Sequence, residues 1–86
     1  MASDLEIGKK WVAAASVSRA KKGGLAVSNP RFEPLQGACD WHVLRFEVGA
    51  RTVSEEFTAA ELQMCWKDPK VRAEVTSRIR AVLTRL

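Results

Sequence analysis

Cys39 and His42 carry a thiol and an imidazole, ligand groups that zinc favours, and the two residues between them match the spacing of a chelating knuckle. Asp40 lies inside that spacing, and Cys65 is the other thiol in the chain. A tetrahedral site needs a second close pair of ligands, and a lone cysteine on a helix face does not provide one. These residues therefore read as a small apolar cysteine and a strand histidine, and no metal is expected.

The same side chains fail as a nucleophile and base. His42 is the single histidine, so all imidazole chemistry would rest on it. Nothing beside Cys39 or Cys65 resembles an oxyanion loop or a helix N-terminus that would stabilise a thiolate. Cys65 falls near the end of an expected helix, where the dipole opposes a thiolate. Glu55 and Glu56 are adjacent carboxylates, but neighbours on a strand point to opposite faces and cannot straddle a substrate. A solvated strand edge with one inward charge accounts for them. Lys21-Lys22-Gly23-Gly24 could touch an anion, yet it does not match a phosphate-binding loop and follows a helix instead of a strand. It reads as a helix terminus. The chain is thus expected to be no enzyme, with no catalytic residue and no cofactor.

Charge is more informative by position than in total. The 86 residues carry a net charge of +4, and the sequence pI is about 9.5. Residues 1–31 sum to +4, residues 32–66 to −4 and residues 67–86 to +4. Basic ends of this kind attract polyanions, or neutralise an acidic middle within one chain or across two. Trp11, Trp41 and Trp66 offer stacking surfaces, and a nucleic-acid contact would draw on Lys21, Lys22, Arg78, Arg80 and Arg85. Against that reading, Trp11 and Trp66 lie on apolar helix faces, and the basic residues of the last segment scatter around its cylinder. Glu74 stands one turn before Arg78, at ion-pairing distance on a helix.

The elements that must position these residues follow from the pattern. Ser3-Asp4-Leu5-Glu6 has the form of a capping box and opens a helix over about 4–21. Its expected inner face holds Leu5, Ile7, Trp11, Val12, Ala14 and Ala15, and its outer face holds Glu6, Lys9, Lys10, Ser16 and Lys21. A strand is the rival reading, because Trp11, Ala13, Ala15 and Val17 also alternate. Alanine content favours the helix. Leu25–Ser28 reads as a short strand, Asn29-Pro30 as a turn, and Phe32–Gly37 as a loop or irregular edge. Trp41 to Val48 alternates, Gly49-Ala50 supplies a two-residue turn, and Arg51–Phe57 returns, with Val53 opposite Phe46. Thr58-Ala59-Ala60-Glu61 is a second capping box and starts a short helix to about Trp66. Asp68-Pro69 ends it and caps the next helix, which runs from Lys70 to Leu86.

The expected fold is α+β in one small domain spanning 1–86: an antiparallel sheet built on the 41–57 hairpin, packed against helices, with a long C-terminal amphipathic helix. That helix presents an aliphatic stripe including Val75, Ile79, Val82 and Leu86, which needs a neighbour to cover it. The neighbour is the hairpin or a second copy of the chain. The functional expectation is a non-enzymatic binding or regulatory module acting through protein contacts as a homodimer, with those four residues in the interface. A small nucleic-acid-binding protein is the alternative. The longest apolar run, Trp11–Ala15, is too short to span a bilayer, and the polar N-terminus lacks the form of a signal peptide. A reducing, cytoplasmic setting is expected, away from membranes.

Overall fold

A computed structural model describes residues 3–35, 37 and 40–85. The elements run α1 (Asp4–Lys22), β1 (Val27–Pro34), β2 (Trp41–Val48), β3 (Arg51–Thr58), α2 (Ala59–Met64) and α3 (Pro69–Thr84). The three strands form one antiparallel sheet in the order β1-β2-β3, and helices pack on it, so the fold is α+β as expected.

Local chemistry sets each boundary. Ser3 caps α1 through its hydroxyl, which accepts from the Glu6 amide at 3.2 Å. At the other end, the Gly23, Gly24 and Leu25 amides return to carbonyls of the last turn. Gly49, with φ 61°, turns β2 into β3, while Ala50 keeps negative φ, the signature of a type II′ hairpin. Phe46 faces Val53, as the alternation predicted. The Thr58–Glu61 capping box closes reciprocally and starts α2 directly from β3. Asp68 then accepts from the Lys70 amide at 2.9 Å, with Pro69 in the first turn of α3.

Three regions depart from expectation. Residues 27–34 form one strand where a short strand, a turn and a loop were expected. Asn29, with φ 53°, and Pro30 form an irregularity within that strand, so the chain kinks without leaving the sheet. The short helix stops at Met64, and residues 65–67 are turn. In α1 the fully buried positions are Gly8, Val12, Ser16 and Ala20, a stripe of small residues, although Ser16 was expected on the outer face. The Ser16 hydroxyl is satisfied by donating to the Val12 carbonyl at 2.9 Å. Gly8 sits against the α2 backbone: a β-carbon there would lie 2.5 Å from the Leu62 carbonyl carbon and closer still to its oxygen. Close helix approach, more than apolar bulk, selects this face.

The core lies between the helices and one face of the sheet. Leu44, Phe46, Val53 and Phe57 from the strands meet Val12 and Ala20 of α1, Leu62 of α2, and Val75, Ile79, Val82 and Leu83 of α3. The other sheet face is polar. There Arg31 donates to Glu47 at 2.8 Å. Arg45 Nε stands 2.6 Å from Glu33 but off line for a hydrogen bond, leaving a charge–charge contact. Val43, between Glu33 and Glu56 in register, is the apolar residue these side chains screen. The loop before α3 is tied to the start of α1, since Trp66 Nε1 donates to the Asp4 carbonyl at 3.2 Å and Lys67 pairs with the Asp4 carboxylate at 2.8 Å. No helix among the described residues is long and apolar enough to cross a membrane.

Candidate functional site

The aliphatic stripe of α3 faces the chain's own sheet. Val75 is fully buried and Ile79 and Val82 are 3% exposed, all within the core cluster. Leu86 lies outside the described residues. A surface for assembly therefore has to be sought elsewhere on the chain.

The basic residues separate into engaged and free groups. Arg78 is held by Glu61 at 2.6 Å and Glu55 at 3.5 Å, donates to the Glu56 carbonyl, and lies over the Phe57 ring at 4.6 Å from its centroid. The expected pairing with Glu74 gives way to this set, which ties α3 to β3 and α2. Burial works to raise Glu61, but hydrogen bonds from the Thr58 amide and Arg78 outweigh it and hold the carboxyl below its ordinary range. Arg85 is mostly exposed, 3.9 Å from Glu55. Lys21, Lys22 and Arg80 are exposed. Lys22 and Arg80 line a groove of about 370 Å³ together with Arg19, over a floor of Ala20, Leu25 and Leu83. Arg19 was not foreseen in this group. Its place one turn before Lys22 was the available signal, but nothing in the sequence brings α3 alongside.

The thiols and the imidazole are not assembled into a site among the described residues. Cys39 lies outside them, and no three of their His, Cys, Asp and Glu side chains are grouped as metal ligands. The Cys65 thiol is buried and points at the Leu62 carbonyl, 3.6 Å away, and burial pushes its pKa up. His42 is half-buried, and burial, aided by the Lys9 charge, lowers its pKa. Glu55 and Glu56 point to opposite faces as expected: Glu55 toward α3, Glu56 to solvent.

The edges of the sheet differ sharply. β1 is blunted by Pro30, Pro34 and the irregularity at Asn29. On β3, the two-residue turn makes Val48 and Arg51 the first hydrogen-bonded pair, so residues 51, 53, 55 and 57 bond to β2. The amides and carbonyls of 52, 54, 56 and 58 then point outward. At the α2 end side chains close this row. Glu56 N–H donates to the Glu55 carboxylate at 3.1 Å, its carbonyl accepts from Arg78, and Thr58 N–H donates to Glu61 at 2.9 Å. Thr52 and Ser54 gain no such cap from the described residues. Beside them runs a groove of about 450 Å³ lined by Arg51, Thr52, Val53, Ser54, Val82 and Arg85. An uncapped strand edge next to a groove with an apolar wall and two arginines suits backbone pairing with another polypeptide. The sequence signal was the hairpin turn, whose parity assigns the outward residues, but the side-chain caps depend on α2 and α3.

No protein-family model, curated protein or solved structure matches this chain.

Proposed function

We propose that this chain is a non-enzymatic binding module that acts through protein contacts, self-association among them. The observation that carries the reading is the open stretch Thr52–Ser54 beside the Val82–Arg85 groove, while the rest of the β3 edge is capped. Main-chain pairing gives such an edge affinity for an extended segment, and the flanking side chains select it. The proposed setting is the cytoplasm, a reducing compartment compatible with the free, buried thiol of Cys65.

Thr52→Pro tests this directly. Proline deletes an outward amide that the β2–β3 ladder does not use, and an edge strand tolerates it. Affinity capture from the native host, with wild-type and variant baits of equal stability, reads the outcome. Proteins retained by the wild type and lost by Thr52→Pro are expected; identical capture by both removes the edge from the reading.

The groove between the C-terminal turns of α1 and α3 supports a second reading, contact with nucleic acid. Arg19, Lys22 and Arg80 converge there, while Lys21 and Arg85 lie exposed elsewhere on the basic ends and Arg78 is already engaged. Three phosphate contacts give an affinity that falls with salt at a log–log slope of about −2 to −3. Titration of a mixed-sequence oligonucleotide at low and moderate salt measures it, and no binding at low salt sets this reading aside.

A further inference from the structure

We infer that the occupant of the open β3 edge is a second copy of this chain, paired antiparallel about a twofold axis between Val53 and the partner's Val53. The inference rests on the binding-module reading and names its partner.

The argument is one of register. On the β3 edge, only Thr52 and Ser54 retain outward amides and carbonyls without a cap among the described residues. A continuous sheet requires outward residues to face outward residues. With Val53 on the axis, Thr52 faces the partner's Ser54 and Ser54 faces the partner's Thr52. Each pair exchanges both backbone bonds, so four hydrogen bonds form. Every uncapped group is satisfied within the strands, and the already bonded Glu56 falls opposite the partner's Ala50, in the turn beyond the paired stretch. Moving the partner two residues one way sets Thr52 against itself and Ser54 against Ala50 of the turn. Moving it the other way sets Ser54 against itself and Thr52 against Glu56, whose amide and carbonyl are already bonded.

Charge selects the same register. Arg51 and Glu55 lie on the sheet face that bears α3, two residues either side of Val53. Pairing about Val53 brings Arg51 opposite the partner's Glu55, twice by symmetry. The two shifted registers place it opposite Val53 or Phe57 instead. Arg51 is exposed and joins no ion pair among the described residues, so it is free to make this contact. The recess on α3 next to Glu55 is lined by the short Ser77 and Ala81 and also by Arg78, Arg80, Thr84 and Arg85. The paired stretch is short, well below the area of a standard stable interface, so the dimer dissociates on dilution.

Two measurements test the pairing. Light scattering across a dilution series is expected to show a monomer–dimer equilibrium that Arg51→Glu weakens by about tenfold, the scale of two surface ion pairs, each between an exposed arginine and a partly buried Glu55, lost and turned repulsive. Cysteine cross-linking reads the register. In a Cys39→Ser background, a mixture of Thr52→Cys and Ser54→Cys proteins is expected to form a disulfide-linked heterodimer under mild oxidation. Directly opposed residues bring their Cα atoms to about 5.5 Å, within disulfide reach. Each variant alone should link poorly. Both substitutions are at exposed positions, so folding is not at issue. A dimer whose mixture fails to cross-link overturns this register while leaving the protein-contact reading intact. A monomer at every accessible concentration, with native circular dichroism, overturns self-pairing altogether. The capture experiment with Thr52→Pro then decides separately whether a different protein takes the edge.

Discussion

Gly8→Ala separates close helix approach from helix propensity, because the two effects have opposite signs. Alanine in place of glycine inside an exposed helix gains about 1 kcal/mol. At Gly8 the added carbon would lie 2.5 Å from the Leu62 carbonyl carbon and 3.2 Å from its α-carbon. Ordinary carbon contacts lie at about 3.5–4.0 Å, so α1 and α2 would have to part by about 1 Å or more. Neither helix yields cheaply. Leu62 is fully buried in a six-residue helix held by the Thr58–Glu61 capping box, and the start of α1 is tied to Trp66 and Lys67. Overpacking costs about 1–3 kcal/mol where side chains can give, and with backbone as the obstacle a cost of about 2–4 kcal/mol is expected here. With the propensity gain subtracted, a net loss of about 1–3 kcal/mol is expected, out of a total stability of about 4–13 kcal/mol for a chain of this size. Urea unfolding followed by circular dichroism measures it, with Ser18→Ala, at an exposed position of the same helix, as the propensity control. Ser18→Ala is expected to stabilise by a few tenths of a kcal/mol. A Gly8→Ala protein as stable as wild type, or more so, would refute the placement of α1 against Leu62.

Two further outcomes follow from the Arg78–Glu61 pair. Arg78→Ala removes hydrogen bonds to Glu61, Glu55 and the Glu56 carbonyl and is expected to lower stability by about 1–3 kcal/mol in urea unfolding, while lengthening the open edge and strengthening concentration-dependent association in light scattering. The Glu61 carboxyl is held below its ordinary value of 4.5, so the stability it contributes is full above that pH and disappears as pH falls through the lower folded-state value. Glu61→Gln should therefore be less stable than wild type at pH 7 and show a shallower loss on acidification; equal acid limbs in the two unfolding series would count against the network.

The fold was legible wherever a local rule acted alone. The Thr58–Glu61 capping box, the Gly49-Ala50 turn and Asp68-Pro69 each define an element boundary by chemistry within four residues, and the structure follows them; at Ser3–Glu6 it forms the serine half of the expected box, which is enough to start α1. Legibility failed where a distant element decided. β1 incorporates Asn29 and Pro30 because pairing with β2 absorbs the irregularity, which turn propensity cannot foresee. Ser16 is buried because α1 approaches its neighbours through small residues, and a hydroxyl bonded to its own helix is tolerated inside. The last helix shows the remaining gap: its periodicity identified the stripe of Val75, Ile79 and Val82 but could not say whether sheet or second copy would cover it, since both bury the same side chains. The candidate site was harder still. Arg78 lay among basic residues expected to face a polyanion, yet tertiary contacts with Glu55 and Glu61 engage it inside the chain.

The position of the open edge follows from where the helices meet β3. α2 starts at Ala59, immediately after the strand, so its capping glutamate can reach only the Thr58 end. α3 then crosses near Glu55 and Glu56, and Arg78 reaches the Glu56 carbonyl from there. Among the described residues, Val82, Arg85 and the hairpin turn lie beside the edge beyond that point, and none supplies a cap to Thr52 or Ser54. A charged residue is a common guard for an exposed strand, and Arg51 stands in that place. Its guarding is selective. It repels a neighbouring strand that would set arginine against arginine and attracts one that presents a carboxylate. The chain's own β3 presents one four residues on, at Glu55. The same side chain can therefore discourage indiscriminate edge pairing and favour one symmetric partner, a combination that an uncharged residue at position 51 would not provide.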